Sequence, residues 1–134
     1  MTPQREEALR LLRLAERDRD AFEVLAASGA TAHAAAGFHA QQAVEKALKA
    51  LLCLRDIDFP RTHDLENLFS RLSGSGPIPP YASAQLRPLT PYAVDFRYDD
   101  EAVHLLAESD MRAIIGETLN FVSGELASDR EEKS

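Results

Sequence analysis

His39, Gln42, Lys46 and Lys49 recur at intervals of three, four and three, so a helix carrying them shows one stripe of donors, acceptors and positive charge. Such a stripe can hold a nucleotide: a lysine ammonium meets phosphate as a point charge, and histidine and glutamine meet base or sugar edges. Ordinary hydration of an outward face uses the same residue types. Beside the stripe, Ala36, Ala40, Ala43, Ala47 and Ala50 recur at intervals of four and three, a smooth face that lets another helix approach closely. Asp18 is the other residue with chemical consequence. It interrupts the apolar line Leu11, Ala15, Phe22, Leu25, and a core-facing carboxylate is costly unless a cation or several donors meet it. It either bridges two helices and fixes their register or belongs to a ligand site.

The elements that carry these residues are helical. The spacing predicts a first long helix over about 4 to 27, closed by Gly29, and a second over about 32 to 55, with Thr31 as its cap and Ala40, Val44, Ala47, Leu51 and Leu54 as its heptad. Joined so tightly, the two must run antiparallel. Pro60 and Thr62 precede a short third helix with Leu65, Leu68, Phe69 and Leu72 on one face; His63 and Asp64 read as its initiation. SGSGPIPP at 73 to 80 is a loop. Residues 81 to 96 keep a helical rhythm broken at Pro88 and Pro91. Asp99 or Asp100 caps a last helix to about Ala127, whose apolar residues Met111, Ile114, Ile115, Phe121 and Val122 spread wider than one bundle core requires and so predict a homodimer. The expected fold is all-α, an antiparallel up-and-down four-helix bundle with an extra short helix. It occupies 1–128, and the acidic residues 129–134 are expected to be a disordered tail.

A chain of 134 residues fits one domain. A formal charge of −7 argues against nonspecific polyanion binding, which calls for clustered Lys and Arg, so any RNA contact must be local. Apolar runs fall short of the ~20 residues a membrane helix needs, and the charged start MTPQREEALR does not read as a signal peptide; a cytoplasmic protein without membrane contact is expected. The single Cys53, set among Leu51, Leu52 and Leu54, reads as a small hydrophobe. No glycine-rich phosphate loop or metal-ligand spacing stands in the sequence, so neither cofactor nor metal is expected.

Four features in order resemble the HEPN family: the A-x-x-D of Ala15 to Asp18, the helix FHAQQAVEKALKALL at 38 to 52, the HDL at 63 to 65 and the RY at 97 to 98. The resemblance runs from about Leu11 to about Val122. It implies a helical bundle, a homodimer and a link to nucleotides or RNA. It places Lys46, His39 and Arg97 near a polar seam as the candidate partners of Asp18, and makes His39, Gln42, Lys46, Arg97 and Tyr98 the candidate nucleotide-binding residues.

Metal-independent ribonucleases of the HEPN superfamily carry an Arg, four to six residues and then a His. Here Arg97 and His104 enclose six. On one helix they lie two turns apart with about 20° of drift, so His104 could continue the line through Ala107 and Met111, moving a proton at the ribose 2′-hydroxyl or leaving oxygen while Arg97 holds the phosphate. Tyr98 instead gives the RY form of the branch associated with minimal nucleotidyltransferases, and Asp99, Asp100 and Glu101 set three acids between the pair. The reading favoured is therefore a nucleotide- or RNA-binding member of a two-component system with a minimal nucleotidyltransferase, toxin and antitoxin being one form of such a system. A metal-independent ribonuclease using Arg97 and His104 is the first alternative, and a non-catalytic structural dimer the second.

Overall fold

A computed structural model describes residues 2–95 and 106–133. Five helices account for most of them: α1 (Pro3–Ala26), α2 (His33–Leu54), α3 (Leu65–Ser70), α4 (Tyr92–Asp95) and α5 (Glu108–Lys133), with single 3₁₀ turns at Ala30–Ala32 and Ser83–Leu86. No strand occurs among the described residues.

Helix α1 starts where Thr2 accepts a hydrogen bond from Arg5 N, with Pro3 at the first helical position, where its missing N–H costs nothing. Its buried line is Ala8, Leu12, Ala15, Asp18 and Phe22, whereas Leu11 and Leu25 are half-buried. Gly29 follows with φ +101, a conformation that favours glycine, and the 3₁₀ turn then leads into α2 without a side-chain cap, so Thr31 does not cap it. On α2 all five alanines of the smooth face are fully buried. Small residues there, with Ala8 and Ala15 on α1, let the two helices pack closely over their length.

The ion pairs give the directions. Arg5 near the start of α1 reaches the Leu126 carbonyl and Asp129 near the end of α5, and Arg112 near the start of α5 meets Glu23 near the end of α1. Those helices are antiparallel. His33 faces Glu108 and Arg55 meets Glu125, so α2 and α5 run parallel, as the second and fourth members of an up-and-down bundle must. The upward return is not one helix: Pro77, Pro79, Pro80, Pro88 and Pro91 break it. It passes from Pro77, whose carbonyl accepts from Arg55 at the end of α2, to Tyr92, whose hydroxyl meets His33 at the start. Gly37 is required at that last contact, since a Cβ there would stand 2.0 Å from Tyr92 Cδ1.

The structure also corrects the expected start of the last helix. Leu106 and Ala107 are not helical and α5 begins at Glu108, so no continuous helix runs from Asp99 through Met111; the shared face expected of Arg97 and His104 lies outside the described residues. Met111, Ile114, Ile115 and Val122 are buried within the single chain, because α5 packs on both α1 and α2, and Phe121 is half-buried. Helix α5 runs to Lys133. No described helix is long and apolar enough to cross a membrane.

Candidate functional site

Asp18 sits on α1 with its side chain 11% exposed, opposite the middle of α2. His39 Nδ1 stands 2.9 Å from its Oδ1, and Lys46 Nζ donates to Oδ2 at 2.5 Å. Because an ionised carboxylate only accepts, the imidazole proton lies on Nδ1 and the ring's remaining edge is Nε2. His39 and Lys46 lie seven residues apart on α2, two turns with little angular drift, so one carboxylate can span them. Both remain about a third exposed. The carboxylate thus orients two donors that solvent or a ligand can still reach.

A second cluster repeats the pattern on the other flank of the stripe. Glu45, its side chain 5% exposed, takes His63 Nδ1 at 2.8 Å and Gln41 Nε2 at 3.0 Å on Oε1, and Lys49 Nζ at 2.9 Å on Oε2. Gln41 Nε2 also donates to the His63 carbonyl, and Gln42 Nε2 donates to Gln41 Oε1. Burial pushes the Glu45 carboxyl upward, but the bonds from Gln41, Lys49 and His63 outweigh it and hold the group below the usual range. Each carboxylate therefore fixes one histidine through Nδ1 and one lysine through its ammonium. At about 100° per residue, Gln42 lies between Lys46 and Lys49 around α2. The outer face of α2 is a polar ridge clamped at both edges.

Asp18, His39 and Lys46 are thus brought together, and Gln42 is bonded to Gln41 of the second cluster. Arg97, Tyr98 and His104 lie outside the described residues. Gln41, Glu45 and His63 escaped the sequence reading as ligand-site residues. The available signal was the Gln41, Glu45, Lys49 ladder at i, i+4, i+8, but a glutamate between Val44 and Lys46 looks like a hydrated residue until the 57–65 segment is known to cover it. Asp64, by contrast, is the helix-starting residue the sequence suggests: it caps α3 by accepting from Glu66 N and Asn67 N.

Two open cavities flank α2. The larger, about 420 Å³, is lined by Pro3, Gln4, Glu7, Cys53, Asp56 and Ile57 among others, so its charged side chains are acidic and it does not suit an anion. The half-buried Cys53 thiol there is pushed up by burial, which leaves it a poor nucleophile. The other, about 360 Å³, is lined by Lys49, Arg61, Thr62 and His63. The described residues include no group of His, Cys, Asp and Glu able to hold a metal ion.

No curated protein and no solved structure matches the chain. The model of the HEPN domain family matches residues 8–124, from the first buried alanine of α1 into the second half of α5, and takes in both clamped clusters. That match covers most of the 134 residues and supports a function related to nucleotides or RNA. The chain belongs to the HEPN family.

Proposed function

We propose that this HEPN protein binds a nucleotide or the end of an RNA on the outer ridge of α2, as the substrate-binding or toxin member of a two-component system whose other member is a minimal nucleotidyltransferase. The observation that carries the ligand part is the Asp18 clamp. A merely hydrated stripe would leave His39 and Lys46 in many rotamers, whereas here one buried carboxylate orders both, and Gln42, between the two flanks of the stripe, is tied to Gln41. Preorganised donors bind a phosphate ester with less entropy to lose. Lys46 uses one ammonium hydrogen on Asp18 and has two more for phosphate; His39 Nε2 and the Gln42 amide remain for sugar or base edges. The nucleotidyltransferase partner is proposed from the RY form at Arg97 and Tyr98, and the homodimer from the family's habit.

Calorimetric titration with a panel of nucleotides tests the ridge. The parent protein should bind, Lys46→Ala should weaken a mononucleotide by about tenfold, the worth of one charge-assisted contact, and Lys49→Ala should weaken it less, since Lys49 is drawn to the other flank by Glu45. A parent protein that binds no nucleotide removes the proposal. Copurification of a nucleotidyltransferase with the tagged chain tests the partner.

A further inference from the structure

We infer that the cleft lined by Lys49, Arg61, Thr62 and His63 is a second phosphate site, and that the ligand of the α2 ridge is therefore a single-stranded oligonucleotide with one phosphate at Lys46 and another in this cleft. The inference rests on the nucleotide-binding reading above and adds to it the class of ligand. The cleft measures about 360 Å³, and every residue lining it can donate a hydrogen bond while none is acidic. In a chain of net charge −7 such a local exception needs a reason, and the larger cavity shows the contrast with Glu7, Asp56 and Asp58 in its wall.

The donors are held from beneath. Glu45 fixes Lys49 Nζ and His63 Nδ1, leaving two ammonium hydrogens and the imidazole Nε2 edge for a ligand. Lys49 also lies over the Phe59 ring, 5.8 Å from its centroid, which restrains its stem. Thr62 Oγ1 accepts from Asp64 N, so its hydroxyl hydrogen remains to donate. The acid next in sequence is turned away, because the Asp64 carboxylate accepts from the amides of Glu66 and Asn67. Arg61 is exposed at the rim, and a guanidinium there can meet phosphate through two parallel bonds. Lys46 and Lys49 are separated by about 4.5 Å along the axis and drawn to opposite flanks of α2. A phosphate held at the Lys46 flank leaves the Arg61, Thr62 and His63 donors of the cleft unfilled, whereas a chain laid across the ridge over Gln42 can reach both.

Anisotropy titrations of the full chain with labelled hexauridylate, with uridine monophosphate as competitor, test this. Arg61→Ala should weaken the hexamer about tenfold and make its salt slope shallower by about 0.7, the loss of one phosphate contact on a single strand. It should leave monophosphate binding unchanged. Arg10→Ala, which removes the same charge from an exposed site on α1, should change neither. The inference is overturned if hexamer binding is insensitive to Arg61→Ala, if Arg10→Ala has an equal effect, or if hexamer and monophosphate bind equally well. Should monophosphate still bind through Lys46 in those cases, only the second site fails; should nothing bind, the ridge itself fails with it.

Discussion

Replacing Glu45 with Gln keeps the shape of a buried side chain that is only 5% exposed and removes its charge, and the outcome should be a loss of about 2–3 kcal/mol at pH 7. Glu45 accepts from Gln41, His63 and Lys49. A hydrogen bond to a charged group is worth about 1.5–3 kcal/mol, and breaking a fully buried ion pair about 3–5. Lys49 is 19% exposed and His63 55%, so water recovers much of what those two lose, and the estimate falls to the lower end. For a chain of this length that is a fall of about 8–12 °C in Tm. The acid limb supplies an independent check. The folded Glu45 carboxyl lies below its ordinary value, so the unfolded chain binds more protons between the folded value and about 4.3. Stability then rises with pH across that window: the contribution is complete above it and is lost as pH falls through the folded value. Urea melts of parent and Glu45→Gln at pH 7, 5.5, 4 and 3 should show a constant gap at the two higher values that narrows at the two lower. A gap under about 0.5 kcal/mol at pH 7, or one that stays constant to pH 3, would refute the claim that Glu45 is an ionised, bonded anchor.

Gly37→Ala should destabilise the fold by about 1–3 kcal/mol through overpacking, although alanine is ordinarily the better helix former by about 1 kcal/mol, because the new Cβ would meet the Tyr92 ring; a variant as stable as the parent by thermal melting would place Tyr92 elsewhere. Incubated with RNA in excess chelator, the parent chain should not cleave. Robust cleavage abolished by both Arg97→Ala and His104→Ala would make it an enzyme, since general acid or base help is worth about 10²- to 10⁴-fold.

The long helices and their packing were legible because periodicity reports burial directly: the five alanines of α2 are spaced as a face and are buried as one. Asp18 was legible for the same reason, since a carboxylate in an apolar line demands partners, and His39 and Lys46 supply them. What escaped depends on contacts distant in sequence. Nothing local to Glu45 says that residue 63 closes over it, and a histidine beginning HDL reads equally well as helix punctuation. The start of α5 escaped for a different reason. Asp99 and Asp100 are good caps, but the acids at Glu108 and Asp110 suit a first helical turn as well, and a Pro-broken return segment does not reveal which start the bundle geometry admits. The breadth of apolar residues on α5 follows from a helix that packs against two neighbours within one chain.

The two clamps also limit how strongly charge can drive binding. Lys46 and Lys49 each arrive already paired with a carboxylate, so the ridge offers oriented hydrogens more than net positive potential, and the remainder of the chain carries an excess of acid. A ligand phosphate must share each ammonium with Asp18 or Glu45 rather than displace it, because stripping a buried carboxylate of its partner costs more than a surface contact returns. If Lys46, Lys49 and Arg61 are the phosphate contacts, the salt slope for a single strand cannot be steeper than about −2, three contacts at about 0.7 each. Affinity would then rest on shape and on the His39 and Gln42 edges, and would survive physiological salt better than that of a basic RNA-binding protein. A measured slope much steeper than −2 would mean that further cations, outside those placed on this ridge, carry the nucleic acid.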